Sequence, residues 1–201
     1  MKDFIALDFE TSGLVPGVNA PTQLGLIKFE NGQPVEESAF EQLIGPKRHF
    51  KTGKIERTYD LAAMEVSGLS WKAIKDAPTA TEIIPWLNDW ARKWDASMLP
   101  IVAFRSSFDH GFWSDLLFLA GEYNRFNQSF EIPNSPFLGG WHCAYELAKK
   151  TIKGLPNYKL ETVAAHLEIE RIGDAHHALS DARVAGQVYV IESVKLIGGN
   201  E

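Results

Sequence analysis

The spacing of apolar residues changes character along the chain. Residues 3 to 9 read as a central strand, since 4 to 7, Phe-Ile-Ala-Leu, are apolar without a break, as in a strand covered on both faces. A second strand is expected from Thr22 to Glu30, followed by Asn31-Gly32, a pair that favours a tight hairpin because both positions tolerate positive φ. A third strand around Val35 to Ile44 would complete an antiparallel meander, which Gly45-Pro46 ends. Beyond it the apolar period becomes helical. One helix is read near Arg57 to Val66, and a better one starts at Thr79, which forms a capping box with Glu82 ahead of Ile83, Ile84 and Leu87. Trp86, Trp90 and Trp94 recur every fourth residue and are assigned to the packed face of that helix. The run Leu99 to Phe104 reads as a fourth strand, and Ser107 or Asp109 opens a helix through Gly121. Residues 123 to 140, rich in Asn, Pro and Gly, read as a long loop, and further helices are expected at about 142 to 151, 158 to 167 and 178 to 196. A meander followed by alternation predicts an α/β protein with a mixed sheet and helices on its faces.

Composition narrows the class. At 201 residues, 45% apolar and 23% charged, the chain can bury a full core and reads as one domain spanning 1–201. It has no apolar run of the roughly 18 residues a membrane span needs, and Met1-Lys2-Asp3 leads straight into strand-like sequence, unlike a signal peptide. A lone Cys143 forms no intrachain disulfide or thiolate cluster, which fits a reducing cytoplasm and reads as a small buried hydrophobe. A net charge of −6 argues against coating nucleic acid by charge alone, but not against gripping a short end.

The acids are placed unusually. Asp8 and Glu10 lie two apart at the end of a buried strand, so they share a face and repel. Asp109 follows the fourth strand in "FRSSFDHGFW", and Asp181 stands in the last helix in "AHHALSDARVAG". Ala178, Ala182, Ala185 and Gly186 around it are small, which lets that helix approach a strand. His176, five residues before Asp181, should lie on the loop entering the helix, able to swing over a site that Asp181 helps to build.

In order and spacing, "DFETSGL", "SFDHGFW" and "HHALSDA" resemble the three motifs of the DEDDh exonucleases. The resemblance runs from Phe4 to about Val190 and includes "YKLETVAAHLEI" and "GLSWKAIKDAPTATEIIPWL". It implies an RNase H-like fold with a five-stranded mixed sheet, strands 1 to 3 as the meander and the rest parallel. It assigns Asp8, Glu10, Asp109 and Asp181 as metal-binding acids and His176 as the general base. Thr11, Leu14 and the backbone at Phe9 match positions that hold the terminal nucleotide. The chemistry is coherent: four hard carboxylates suit two Mg²⁺ or Mn²⁺ ions, which activate water and steady the leaving oxygen of a phosphodiester. A histidine, with an unperturbed pKa of about 6.5, can take the proton. The expected activity is metal-dependent 3′-to-5′ hydrolysis of single-stranded nucleic acid, DNA before RNA, releasing 5′-mononucleotides, with a DNA polymerase as a candidate partner. The alternatives are an RNA exonuclease similar to ribonuclease T or oligoribonuclease, and a catalytically idle module that binds a polymerase or a nucleic-acid end.

Other positions carry weaker expectations. Phe112 or Trp113 stacks on a terminal base or belongs to the core, and Phe112 is carried forward as the substrate contact. Lys47, Arg48, His49, Lys51, Lys54 and Arg57 form a basic segment that either meets the phosphate backbone or is a solvated loop. His177 is read as a neighbour pointing away from the site, and Asp115 and Asp174 as solvated acids flanking helices. Phe126, Phe130 and Phe137 mark loop 123 to 140 as a lid, a dimer contact or neither. Two places depart from the family pattern. Phe104-Arg105 stands where many members carry His-Asn, leaving Arg105 to reach a phosphate or an acid, and Trp141-His142-Cys143-Ala144 stands where Asp-Thr or Asp-Ser is common.

Overall fold

The computed structural model describes residues 2–49, 51–121 and 135–198. Strand β1 (Phe4–Thr11) pairs antiparallel with β2 (Pro21–Glu30), and the Asn31-Gly32 turn returns the chain along the outer edge of β2. The third strand is not continuous. It consists of β3 (Gln33–Pro34) and β4 (Phe40–Leu43), separated by a 3-10 turn at Glu36–Ser38. Ser38 explains the break: it is buried, its hydroxyl accepts from the Lys28 amide at 2.8 Å, and its carbonyl accepts from the Trp90 indole at 2.6 Å. A turn buried among such partners replaces ladder hydrogen bonds without leaving orphan polar groups.

Helices α1 (Leu61–Val66) and α2 (Trp71–Ile74) follow, then α3 (Ala80–Lys93). The first starts four residues later than expected because Asp60 caps it, accepting from the Ala62 amide at 2.9 Å. The capping box of α3 is present, with the Thr79 amide donating to Glu82 at 2.8 Å, and this holds the Glu82 carboxyl below its usual range. Strand β5 (Ile101–Ala103) runs parallel to β1 and leads into α4 (Ser106–Ala120), which ends on Gly121 at φ 83°. Strand β6 (Trp141–Cys143) pairs parallel with β5 and opens directly into α5 (Ala144–Thr151). Helices α6 (Leu160–His166) and α7 (Ala178–Gly198) complete the chain. The sheet order is β3-β2-β1-β5-β6, with β4 also on β2. It is thus a mixed sheet of five positions, the last a three-residue strand the apolar pattern did not reveal.

Alternation along β1 divides the core into two layers. Ile5, Leu7 and Phe9 face α3 and α4, whereas Phe4 and Ala6 face α5, α6 and α7. By the same period Asp8 and Glu10 continue the Phe4 and Ala6 face, toward α7. Of the tryptophan stripe, Trp90 is buried and Trp94 packs against the core, but Trp86 is 42% exposed, because the expected apolar face extends only to its neighbours. Phe137 is buried, edge-on to Trp90 at 5.8 Å and tilted on Trp113 at 5.3 Å, so it is a core residue; Phe126 and Phe130 lie outside the described residues. Among the described residues no helix is long and apolar enough to cross a membrane.

Candidate active site

Strands β1 and β5 pair only at Ile5 with Ile101 and Ala6 with Val102, and beyond Ala103 the chain leaves the sheet to form α4. Past that point the β5-facing side of β1 is open at its carboxyl end. This is also where the strand order reverses from β2 to β5, the position at which open α/β sheets place ligands. The first turn of α4 fills part of the gap: Asp109 Oδ1 accepts from the Phe9 amide at 3.2 Å. That bond satisfies an otherwise orphaned strand donor and fixes Asp109 beside Asp8 and Glu10.

Asp181 arrives from the other layer. Helix α7 lies almost on the sheet, since a Cβ on Gly25 would stand 2.1 Å from the Leu179 nitrogen, and one on Gly186 would stand 2.5 Å from the Phe29 ring and 3.1 Å from Ala6 Cβ. Gly25 is the cross-strand partner of Asp8, so the closest approach of α7 falls beside the first acid. Ala178, Ala182 and Ala185 are fully buried along the same helix. Carboxylate or imidazole atoms of Glu10, His176 and Asp181 come within 4.8 Å of one another. Asp8, Asp109, His176 and Asp181 line a cleft of about 190 Å³ together with Phe104, Arg105, Phe108, Leu160 and Glu161.

Clustering acids in a desolvated place makes their ionised forms expensive. Burial first, then Asp109, Asp181 and Glu10, push Asp8 well above the ordinary carboxylate range, with Arg171 opposing. Burial and the charges of Asp181 and Asp109 push Glu10 up to about 8. Asp109 is pushed up to about 7 by burial, against the hydrogen bond from Phe9. Burial also raises Asp181, while Arg171, ion-paired with it, holds it down. Oxygen donors whose negative charge the protein leaves largely uncompensated fit divalent cations such as Mg²⁺ or Mn²⁺.

His176 is exposed and held at φ 58°, next to a turn at Gly173 with φ 93°. Left-handed backbone at a non-glycine residue is uncommon and costs about 1 kcal/mol or more, and such strain gathers at working sites. His177 points elsewhere, with Nδ1 2.8 Å from Glu41 and Nε2 3.5 Å from Gln23.

Among the other expected contacts, the Thr11 hydroxyl donates to the Gly13 carbonyl at 2.7 Å, and Leu14 is 80% exposed just past β1. Phe9 is buried with its amide committed to Asp109. Phe112 is corrected: it is 0% exposed within the α3–α4 core, as is Trp113 at 1%, so neither ring can stack on a base. One turn earlier Phe108, 4.9 Å from the Phe112 ring, lines the cleft. Asp115 is corrected too. It is buried at 6% and receives a two-pronged hydrogen bond from Arg57, at 2.9 and 2.5 Å. With Lys47 donating to the Leu119 carbonyl, the basic segment is fastened to α4, and none of its residues lines the acid cleft. Cys143 is half-buried, its thiol donating to the Phe104 carbonyl at 3.4 Å, whereas Asp174 is exposed as expected. Sequence reasoning missed Arg171 and Glu161. Arg171 donates to Ser180 at 3.1 Å as well as to Asp181. Its only sequence signal was a cation shortly before the histidine-bearing turn.

A mixed sheet with acids gathered at the carboxyl end of its first strand, met by one acid from a following helix and one from the last, matches the RNase H-like exonuclease fold that the sequence resemblance implied. The chain belongs to the exonuclease family, which matches residues 5–189. Among curated proteins it is similar to the PolC-type DNA polymerase III of Thermotoga maritima, 30% identical over 97% of this chain but 12% of that one. It is also similar to that of Oceanobacillus iheyensis, 26% identical over 91% of this chain and 11% of that one. The chain thus spans about an eighth of the length of these relatives. Solved structures share the fold. An E. coli exonuclease I complexed with a dT13 oligonucleotide superposes with TM-score 0.69 at 15% identity, covering 100% of this chain and 42% of that one. Exonuclease X in complex with 5′-overhanging duplex DNA superposes with TM-score 0.63 at 16% identity, covering 98% of this chain and 93% of that one.

Proposed function

We propose that this exonuclease-family chain removes 5′-mononucleotides from the 3′ end of single-stranded DNA, through one catalytic domain within residues 1–201. The observation that carries the proposal is the convergence of Asp8, Glu10, Asp109 and Asp181 with His176 around one cleft. Two divalent cations held by the four acids would supply charge neutralisation at the phosphate and a more acidic attacking water. The chain's own groups do the rest. The Phe9 amide keeps Asp109 pointed at the cleft. Arg171 opposes the rise that burial imposes on Asp181 and keeps the carboxylate aimed. His176 accepts the proton of the attacking water, and its exposed turn lets it move in as the strand enters. Phe108, in place of Phe112, stacks on the terminal base, with Leu14 and Thr11 holding the terminal nucleotide. The oligonucleotide bound by the exonuclease I of like fold supports DNA over RNA, and the PolC-type relatives support a proofreading role beside a DNA polymerase in the cytoplasm.

The test compares 5′-labelled single-stranded DNA with the matched RNA in Mg²⁺ and in Mn²⁺. Stepwise shortening of the DNA, blocked by capping its 3′ end and abolished by chelation, is expected. Preferential loss of RNA would favour the ribonuclease reading. No degradation of either strand would leave only the idle module.

A further inference from the structure

The acid cleft repels the phosphates it is meant to receive, and Lys47 and Arg57 of the basic segment are committed to α4. Among the described residues that line the cleft, one carries a permanent positive charge. Arg105 lines the cleft beside Asp8 and Asp109, and among the described residues no carboxylate pairs with it. Its guanidinium instead lies over the Tyr145 ring, 4.5 Å from the centroid. Lys149 Nζ is 5.0 Å from the centroid of the same ring, with only a 4.0 Å approach to Glu146. An exposed pair at that distance contributes little.

The Tyr145 ring is fixed in place. The Tyr145 amide donates to the Phe104 carbonyl at 2.9 Å, tying the start of α5 to the residue before Arg105. The Tyr145 ring is edge-on to Phe104 at 5.9 Å and to Tyr158 at 6.4 Å. Seating a guanidinium on an aromatic face restrains a flexible side chain while leaving its N–H fork free for an anion. This placement also answers the departure at Phe104-Arg105: of the two roles open to Arg105, bonding an acid is not the one it takes.

Resting on the exonuclease reading, we propose that Arg105, seated on Tyr145, binds a backbone phosphate of the substrate strand adjacent to the phosphate the acids receive. The ligand class is a polynucleotide strand, recognised through its charge rather than its bases.

The experiment measures binding of a fluorescent single-stranded DNA in Ca²⁺, over a range of salt concentrations, to the intact protein and to Arg105→Gln. Gels run alongside confirm that the strand stays whole, and circular dichroism confirms that the variant is folded. The variant should bind about tenfold more weakly, as expected for loss of a hydrogen bond to a charged group. Its log-log salt slope should be shallower by about 0.7, one single-strand phosphate. Tyr145→Leu should move both quantities the same way by less. In strands carrying one neutral methylphosphonate linkage at successive positions, one position should weaken the intact protein and leave Arg105→Gln unaffected. If the intact protein binds and degrades DNA while Arg105→Gln matches its affinity and slope, the docking proposal is overturned and the exonuclease reading stands. If the intact protein neither binds nor degrades any strand, the exonuclease reading fails and the docking site with it.

Discussion

Asp8 and Glu10 stand two residues apart on one strand face, and the amide between them is bonded to a third acid, Asp109. Asp109 is held by the Phe9 amide, Asp181 by Arg171 and His176 by its own turn, so the residues should separate by assay. Asp8→Ala should abolish nucleotide release and sharply weaken Mn²⁺ binding in calorimetry. His176→Ala should lower release by at least about a hundredfold while leaving Mn²⁺ binding nearly intact, since the four carboxylates remain. Equal loss of metal affinity in both variants would remove His176 from the role of base. At this scale the sequence revealed the acids because charge in an apolar run is conspicuous. It set Phe112 against Trp113 and passed over Phe108, because all three lie on a helix entering the core and only the packing against α3 shows which are covered. The pairing of Arg57 with Asp115, 58 residues apart, left no local trace for the same reason.

The elements deliver those residues through two close contacts. Gly25→Ala would drive a methyl into the backbone of Ala178 and Leu179, so α7 must retreat. The expected destabilisation is about 1 to 3 kcal/mol, with a loss of activity of about a hundredfold from displacing Asp181, read by urea unfolding and nucleotide release. The second contact is the Arg57–Asp115 pair, whose side chains are 11% and 5% exposed. Asp115→Ala strands a partly buried guanidinium and should destabilise by about 1 to 3 kcal/mol; no change in urea unfolding would show the pair to be dispensable. Long periodic elements were readable from apolar spacing: β1, β2, α3 and α7 fall close to their expected bounds. Three-residue β6 carries too few positions for any period, and the split between β3 and β4 depends on Ser38 meeting Trp90 across the fold. The close approach of the helix that carries Asp181 was legible from its small residues, but its partner Gly25 on β2 was not, because a glycine within a strand has several possible causes.

Over the whole molecule the site is a store of unfavourable charge. Glu10 and Asp109 titrate near 8 and 7 when folded, against about 4 in an unfolded chain. Between those values the folded state binds more protons than the unfolded one. The metal-free protein should therefore lose stability as pH rises from about 5 to about 8, seen as a falling melting temperature, and saturating Mg²⁺ or Mn²⁺ should raise it again at pH 8. A melting temperature that climbs over that interval without metal would contradict the strain. Whether four mutually repelling carboxylates hold divalent cations is read most directly by titrating Mn²⁺ calorimetrically into the protein at pH 7 in buffers of different ionisation enthalpy. Two bound equivalents per chain are expected, with protons released on binding, and both signals should be lost in Asp8→Asn. Absence of binding, or binding that Asp8→Asn leaves unchanged, would contradict that role of the acids.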